Sequence, residues 1–216
     1  MTPLAPCAER QTIMKVLLIN GSPRPNGCTN TALLEVAKTL ETEGIETQIF
    51  QIGRGPVRGC IACNICVKLG KCVFDDDPAN EMLRLMREAD GIIVGSPVYY
   101  AGPNGALCAL LDRVFYASGG FAFKPAAAVV SASRSGRTAT FDRLNKYFTM
   151  NRMPVVSSQY WNGVHGFTPY DVQKDEEGLQ TMRTLGYNMA WMLKSISAGE
   201  QPKPAVEPWQ STHFVR

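Results

Sequence analysis

The chain has 216 residues, 45% apolar and 19% charged, a folding composition with room for one full-sized core. Lys and Arg number 22 against 19 Asp and Glu, giving a formal charge of +3. These values exclude disorder over most of the chain, and they lack the basic stripe of a nucleic-acid binder or a polybasic membrane anchor.

Met1–Ile13 shows no positive region followed by an apolar run, so no signal peptide is expected and the segment reads as a flexible extension. Lys15–Asn20 (KVLLIN) is a short apolar run suited to a buried parallel strand. The loop Gly21-Ser22-Pro23-Arg24-Pro25-Asn26-Gly27 ends it, and Asn30–Glu43 then places Leu33, Leu34, Val36, Ala37 and Leu40 on one helical face. Glu46–Ile52 predicts a second strand and Glu81–Glu88 a second helix. Gly91–Gly95 predicts the third strand, followed by a loop Ser96–Gly105 and a helix Ala106–Tyr116. The uncharged run Gly91–Leu111 is long enough to suggest a membrane span, but Pro97, Pro103, four glycines, Ser96 and Asn104 divide it. A fourth strand is expected at Ala126–Ser131, a loop at Ser133–Arg137 and a helix at Thr140–Phe148. Met153–Ser158 predicts the fifth strand and Glu176–Ser197 the last helix, with an irregular tail over Ala198–Arg216.

Five strands alternating with five helices predict one α/β domain over residues 14–197, doubly wound around a five-stranded parallel sheet. Ligands of such sheets sit beyond the carboxyl ends of the strands, so the loops after strands one, three and four are the candidates. The first leads into a helix N-terminus, which suits an anion, and Ser22, Arg24, Thr29, Asn30 and Thr31 add donors and charge. It has neither G-x-G-x-x-G nor G-K-[ST], so a terminal phosphate monoester fits better than a dinucleotide or a triphosphate. The same short polar residues are also ordinary helix caps. The second loop brings Tyr99 and Tyr100 to this edge, and the third brings small residues with Arg134 and Arg137. Together the three suit a phosphate-bearing planar heterocycle.

Seven cysteines are unevenly placed, with Cys60, Cys63, Cys66 and Cys72 inside thirteen residues. Without an export signal the cytosol is the expected compartment, and a thiol cluster there points to metal or redox chemistry rather than a disulfide framework. A [4Fe–4S] cluster, tetrahedral zinc, a disulfide switch and free thiols all remain open for it. Cys28 and Cys108 read as small buried residues. His165 suggests a structural hydrogen bond, and Asp75-Asp76-Asp77 an acidic lead-in to a helix.

G-S-P-R-x-N-G-x-T-N at Gly21, G-S-P-V-Y-Y at Gly95 and V-V-S-A-S-R-S-G-R-T at Val129 resemble the flavodoxin-like NADPH-dependent FMN reductase family. The resemblance runs from about Met14 to Ser197 and implies strand order 2-1-3-4-5. It implies FMN phosphate at Ser22, Arg24, Asn26, Thr29, Asn30 and Thr31. The ring would lie against Pro97, Val98, Tyr99 and Tyr100, with Ser133, Arg134 and Gly136 at its polar edge. The spacing Cys60-x2-Cys63-x2-Cys66-x5-Cys72 resembles the iron–sulfur flavoprotein branch, which implies a [4Fe–4S] cluster on these four thiols. The family further implies NAD(P)H as co-substrate, a small-molecule acceptor or redox protein as electron partner, and a homodimer or homotetramer. The balanced charge argues against the alternative of an acidic flavodoxin-type carrier, and a thiol-based redox sensor is the other alternative.

Overall fold

The computed structural model describes residues 13–199, 201–205, 207–208 and 210–212. In chain order the elements are β1 (Lys15–Asn20), α1 (Cys28–Thr42), β2 (Glu46–Gln51), α2 (Cys66–Leu69), α3 (Ala79–Glu88), β3 (Gly91–Tyr99) and β4 (Gly102–Pro103). There follow α4 (Gly105–Ala117), β5 (Ala126–Ala132), α5 (Arg137–Met150), β6 (Gly163–His165), α6 (Pro169–Lys174) and α7 (Glu176–Ala198). The path through the sheet is β2-β1-β3-β5-β6, all parallel, with β4 pairing β3 antiparallel at one end. Setting β4 aside, this is the expected order 2-1-3-4-5.

Strand alternation sends side chains to two separate cores. Leu17, Ile19, Ile92, Val94, Ala126, Ala128 and Val130 meet α3, α4 and α5, while Val16, Leu18, Ile93, Ala127 and Val129 meet α1, α6 and α7. Both faces of the sheet are therefore covered, which is why the central strands read as continuous apolar runs rather than alternating ones.

Three expectations need correction. First, β3 does not stop at Gly95 but runs to Tyr99 and turns back through β4, with Tyr99 opposite Gly102. Tyr100 and Ala101, at φ 50° and 56°, make the two-residue turn, a pairing of left-handed residues that matches the twist of a tight hairpin. Neither is glycine, so the turn holds strain of order 1–3 kcal/mol per residue.

Second, the edge strand is not Met153–Ser158. The Ala126 N–H donates to the Pro154 carbonyl at 2.9 Å, and Val156 N–H returns to Ala126 at 2.8 Å. The chain then leaves the sheet and pairs again only at Gly163–His165, opposite Val130–Ala132. Local bonds win over the ladder here. Ser158 Oγ donates to the Tyr160 carbonyl at 2.6 Å, and α7 holds the excursion through Asn188 Nδ2 to the Ser157 carbonyl at 2.7 Å. The Asn162 amide spans the neck to the Val156 carbonyl at 3.5 Å.

Third, α2, α6 and β4 have no counterpart in the sequence reading. The described part of the tail after Ala198 carries no helix or strand. Residues 1–12, including Cys7, lie outside the described residues.

Candidate functional site

The first loop is folded around two amides that the motif does not contain. Asn20, at the buried end of β1, accepts the Ser22 N–H at 3.1 Å and donates to Gln51 Oε1 at 2.6 Å. Gln51 donates in turn to the Ser22 carbonyl at 2.6 Å. Ser22 Oγ accepts the Arg24 N–H at 3.1 Å, and the Arg54 Nε donates to the Pro23 carbonyl at 3.0 Å. The loop is thereby fixed before any ligand arrives. It delivers the chain to α1 at Gly27, where no side chain caps the helix and no carboxylate lies in the first turn. A 15-residue helix with a bare N-terminus favours an anion through its dipole and its free N–H groups.

Of the predicted phosphate residues, Ser22 is buried, Arg24 and Asn26 are exposed, and Asn30 and Thr31 are half-buried. All three hydroxyls have internal partners, that of Ser22 being the Arg24 N–H. Buried Thr29 Oγ1 lies 2.8 Å from Ser131 Oγ, joining the first loop to β5, and Thr31 Oγ1 donates to the Gly27 carbonyl at 3.3 Å.

The loop also needs Gly21. Its N–H donates to the Gly95 carbonyl at 2.8 Å. A Cβ there would sit 2.4 Å from Leu107 Cδ2 and 2.6 Å from the Gly95 oxygen.

Asn104 joins the second loop to the first. Its Nδ2 donates to the Gly21 carbonyl at 2.7 Å while its Oδ1 caps α4 by accepting the Ala106 N–H at 3.0 Å. Its own N–H goes to Ser96 Oγ at 3.0 Å. Asn104→Ala removes the cap and the tie together, and the expected loss is about 1–3 kcal/mol of unfolding free energy, read from denaturant titration.

Pro97 and Val98 are half-buried, Tyr99 is exposed, and Tyr100 projects fully from the hairpin tip. The third loop packs against that hairpin. Gly136, at φ 96°, would place a Cβ 2.9 Å from Ala101 Cα and 3.0 Å from Val98 Cγ1, so both its conformation and its neighbours require glycine. Ser133 and Arg134 stand exposed beside it, and Arg134 makes no ion pair among the described residues. The structure thus brings all three predicted loops to one edge of the sheet.

The cysteine segment follows β2. Ala62 and Asn64, between the first three cysteines, adopt left-handed backbone at φ 53° and 57°, and the single turn α2 ends at Gly70. All four cysteines line one cavity of about 20 Å³ together with Ile61, Val73, Phe74, Arg113 and Tyr116. Cys60 and Cys63 are exposed, Cys66 and Cys72 half-buried, and all four are free thiols. Among the described residues, no three His, Cys, Asp or Glu side chains converge on a single-ion site. The donor set, four soft sulfurs from residues lining one cavity, fits an iron–sulfur core by its chemistry, whereas a single zinc ion would need a convergence these side chains do not show. The Cys60 sulfur accepts the Ala62 N–H at 3.5 Å and the Cys72 sulfur accepts Arg113 Nε at 3.2 Å.

The acidic run is more than a helix lead-in. Asp75 pairs with Lys71 at 3.1 Å and with Asn80, Asp76 pairs with Arg58, and Asp77 is buried against Arg113. Asp77 also accepts the Arg58 and Ala79 N–H groups, each at 3.1 Å. The Asn80 amide and then Lys71 hold the Asp75 carboxyl below its ordinary range, and the Arg58 guanidinium does the same for Asp76. The three carboxylates fasten the cysteine segment.

His165 exposes its imidazole at the edge, and its backbone N–H donates to Asp175, the cap of α7, at 2.6 Å. Cys28 and Cys108 are half-buried rather than buried, and desolvation pushes both thiols up. Asn20, Gln51, Asn104 and Arg113 are the site residues that the motifs did not indicate.

Comparison with known proteins agrees with this geometry. The family model described as NADPH-dependent FMN reductase matches residues 14–168, spanning all three loops and the cysteine segment. An iron-sulfur flavoprotein of Methanocaldococcus jannaschii is 38% identical, over 85% of this chain and 99% of the relative. One from Methanosarcina thermophila is 36% identical, over 85% and 97%. A solved structure of RosB with bound 8-demethyl-8-formylriboflavin-5'-phosphate shares the fold at TM-score 0.67 and 13% identity, covering 94% of this chain and 93% of that one. No helix of the described residues is long and apolar enough to cross a membrane. With a flavodoxin-like sheet and loops of this kind, the chain belongs to the NADPH-dependent FMN reductase family, in its iron–sulfur flavoprotein branch, and is an NAD(P)H-dependent FMN oxidoreductase.

Proposed function

We propose that this chain couples NAD(P)H oxidation at FMN to a [4Fe–4S] core held by Cys60, Cys63, Cys66 and Cys72. A single observation carries the reading. Four thiols line one cavity, and a buried guanidinium contacts one of their sulfurs at 3.2 Å. A cation so placed suits sulfur that bears negative charge, as metal-bound thiolate does. The names of the two archaeal relatives support the same assignment.

Bound FMN supplies hydride acceptance and release of one or two electrons, and an iron–sulfur core supplies single-electron exchange. The chain's own residues supply binding and orientation. The α1 N-terminus, with Ser22, Arg24, Asn26, Asn30 and Thr31, takes the phosphate, and Thr29 contributes its backbone N–H while its hydroxyl stays on Ser131. Pro97, Val98, Tyr99 and Tyr100 flank the ring, and Ser133, Arg134 and Gly136 meet its polar edge. Arg134, exposed and without a carboxylate partner among the described residues, is available to a developing negative charge there. The acceptor is a quinone, a nitro or azo compound, or a redox protein. The working form is a cytoplasmic homodimer or homotetramer.

Anaerobically purified protein tests this through flavin and iron content and steady NADPH oxidation. Ser22→Ala removes a hydroxyl from a charged ligand and is expected to weaken FMN affinity about tenfold. Cys60→Ala is expected to lose iron while retaining flavin. A protein that binds FMN without oxidising NADPH would be a carrier, and turnover with neither flavin nor iron would defeat the proposal.

A further inference from the structure

The cysteine segment is secured to α4 by one buried side chain, Arg113, and at the surface by Tyr116, whose hydroxyl donates to Asn64 Oδ1 at 3.2 Å. Arg113 is 1% exposed and directs its donors into that segment alone. Its Nε donates to Cys72 Sγ at 3.2 Å and its Nη1 to the Arg58 carbonyl at 3.3 Å. Its Nη2 donates to the Phe74 carbonyl at 3.3 Å, and Nη1 also pairs with Asp77. The two carbonyls flank the run of cysteines, and Asp77 closes it against α3.

The donor on sulfur is the informative one. A neutral thiol is a weak acceptor, a poor partner for a desolvated guanidinium N–H. A thiolate is a strong one, and hydrogen bonds to cluster sulfurs shift the reduction potential. Both ends of Cys72 are also fixed. Its N–H donates to Asn80 Oδ1 at 2.8 Å, and its carbonyl accepts Asn80 Nδ2 at 2.9 Å. The sulfur is thus held against Arg113 from the backbone side as well.

We propose that Arg113 is a positioning residue that holds the Cys72 sulfur in place and raises the reduction potential of the iron–sulfur core. The inference rests on the four-thiol reading above. A bound core would take up one electron, supplied by reduced FMN or by the mediator of the titration, and no proton. The Arg113 N–H stays on nitrogen, and its bond to sulfur strengthens as negative charge grows there. Asp77 sets the opposing influence, because its carboxylate partly cancels the guanidinium charge at the same sulfur.

The test is a mediated redox titration of the anaerobic holoprotein, followed by electron paramagnetic resonance, with iron content measured in parallel. Arg113→Gln is expected to keep iron and to lower the electron-uptake equilibrium at least tenfold, which is 59 mV for a one-electron couple. Arg113→Lys keeps the charge without the fork and should fall between. Asp77→Asn removes the countercharge and should move the potential upward. If Arg113→Gln does not fold, the Lys and Asn variants decide through the opposite signs of their shifts. Wild-type iron with the same potential in every variant overturns the positioning role alone. Wild-type protein with FMN but no iron overturns the four-thiol reading, and this inference with it.

Discussion

Asp77→Leu is expected to cost about 3–5 kcal/mol of unfolding free energy, the range for removing one partner of a buried ion pair. Both side chains of the Arg113–Asp77 pair are 1% exposed, so the orphaned guanidinium has no route to water without dismantling the segment around it. The Arg58 and Ala79 N–H groups lose their acceptor in the same step. Thermal and denaturant unfolding measure the loss. Proteolysis locates it, because the segment between β2 and α3 should become sensitive first while the sheet persists. Asp76→Ala is the control. Its partner Arg58 is half-exposed, and surface pairs contribute about 0–1 kcal/mol. Equal losses in the two variants would show that the Arg113–Asp77 pair has no special weight.

Gly21→Ala should be as severe for ligand binding as Asp77→Leu is for stability. The added methyl would lie 2.6 Å from the Gly95 carbonyl, which is backbone and cannot rotate away, and 2.4 Å from Leu107 Cδ2. Either β1 parts from β3 at this point or α4 retreats. Overpacking of this kind costs about 1–3 kcal/mol. The larger effect is local. The Gly21 carbonyl is the acceptor for Asn104, so a shift there loosens the first two loops together, and FMN affinity is expected to fall about 100-fold or more through lost preorganisation. Fluorescence quenching on FMN addition reads the affinity, and a melting curve separates it from unfolding.

The fold was largely legible because its signals are local. KVLLIN and GIIVG are runs that only a doubly covered strand requires, and the last helix repeats its apolar residues every three or four positions over 23 residues. Met153–Ser158 misled for the opposite reason. Met153 and Val156 are buried like strand residues, but Ser157 and Ser158 make side-chain and helix contacts that composition does not display. Helix α6 escaped because its evidence is a cap rather than a period, a Thr168–Asp171 capping box ahead of six residues.

The site divides in the same way. The three loops could be read from their short polar residues, whereas the residues that shape them, Asn20, Gln51 and Asn104, are amides with no motif of their own. Their roles depend on partners up to 83 positions away. Asp77 and Arg113 are 36 apart and belong to elements that only packing brings together. Charge arithmetic counts them as two surface ions, and burial turns them into a fastening.

Helix α4 has one more consequence. Asn104 at its start grips the first loop and Arg113, nine residues on, grips the thiol segment. At 1.5 Å per residue these grips stand about 13.5 Å apart along the axis. The rod therefore serves as a ruler between the two proposed cofactor sites and also sets their relative phase. One residue inserted between them would swing Arg113 about 100° around the axis, leaving the Asn104 end intact and the Arg113 end with nothing to hold.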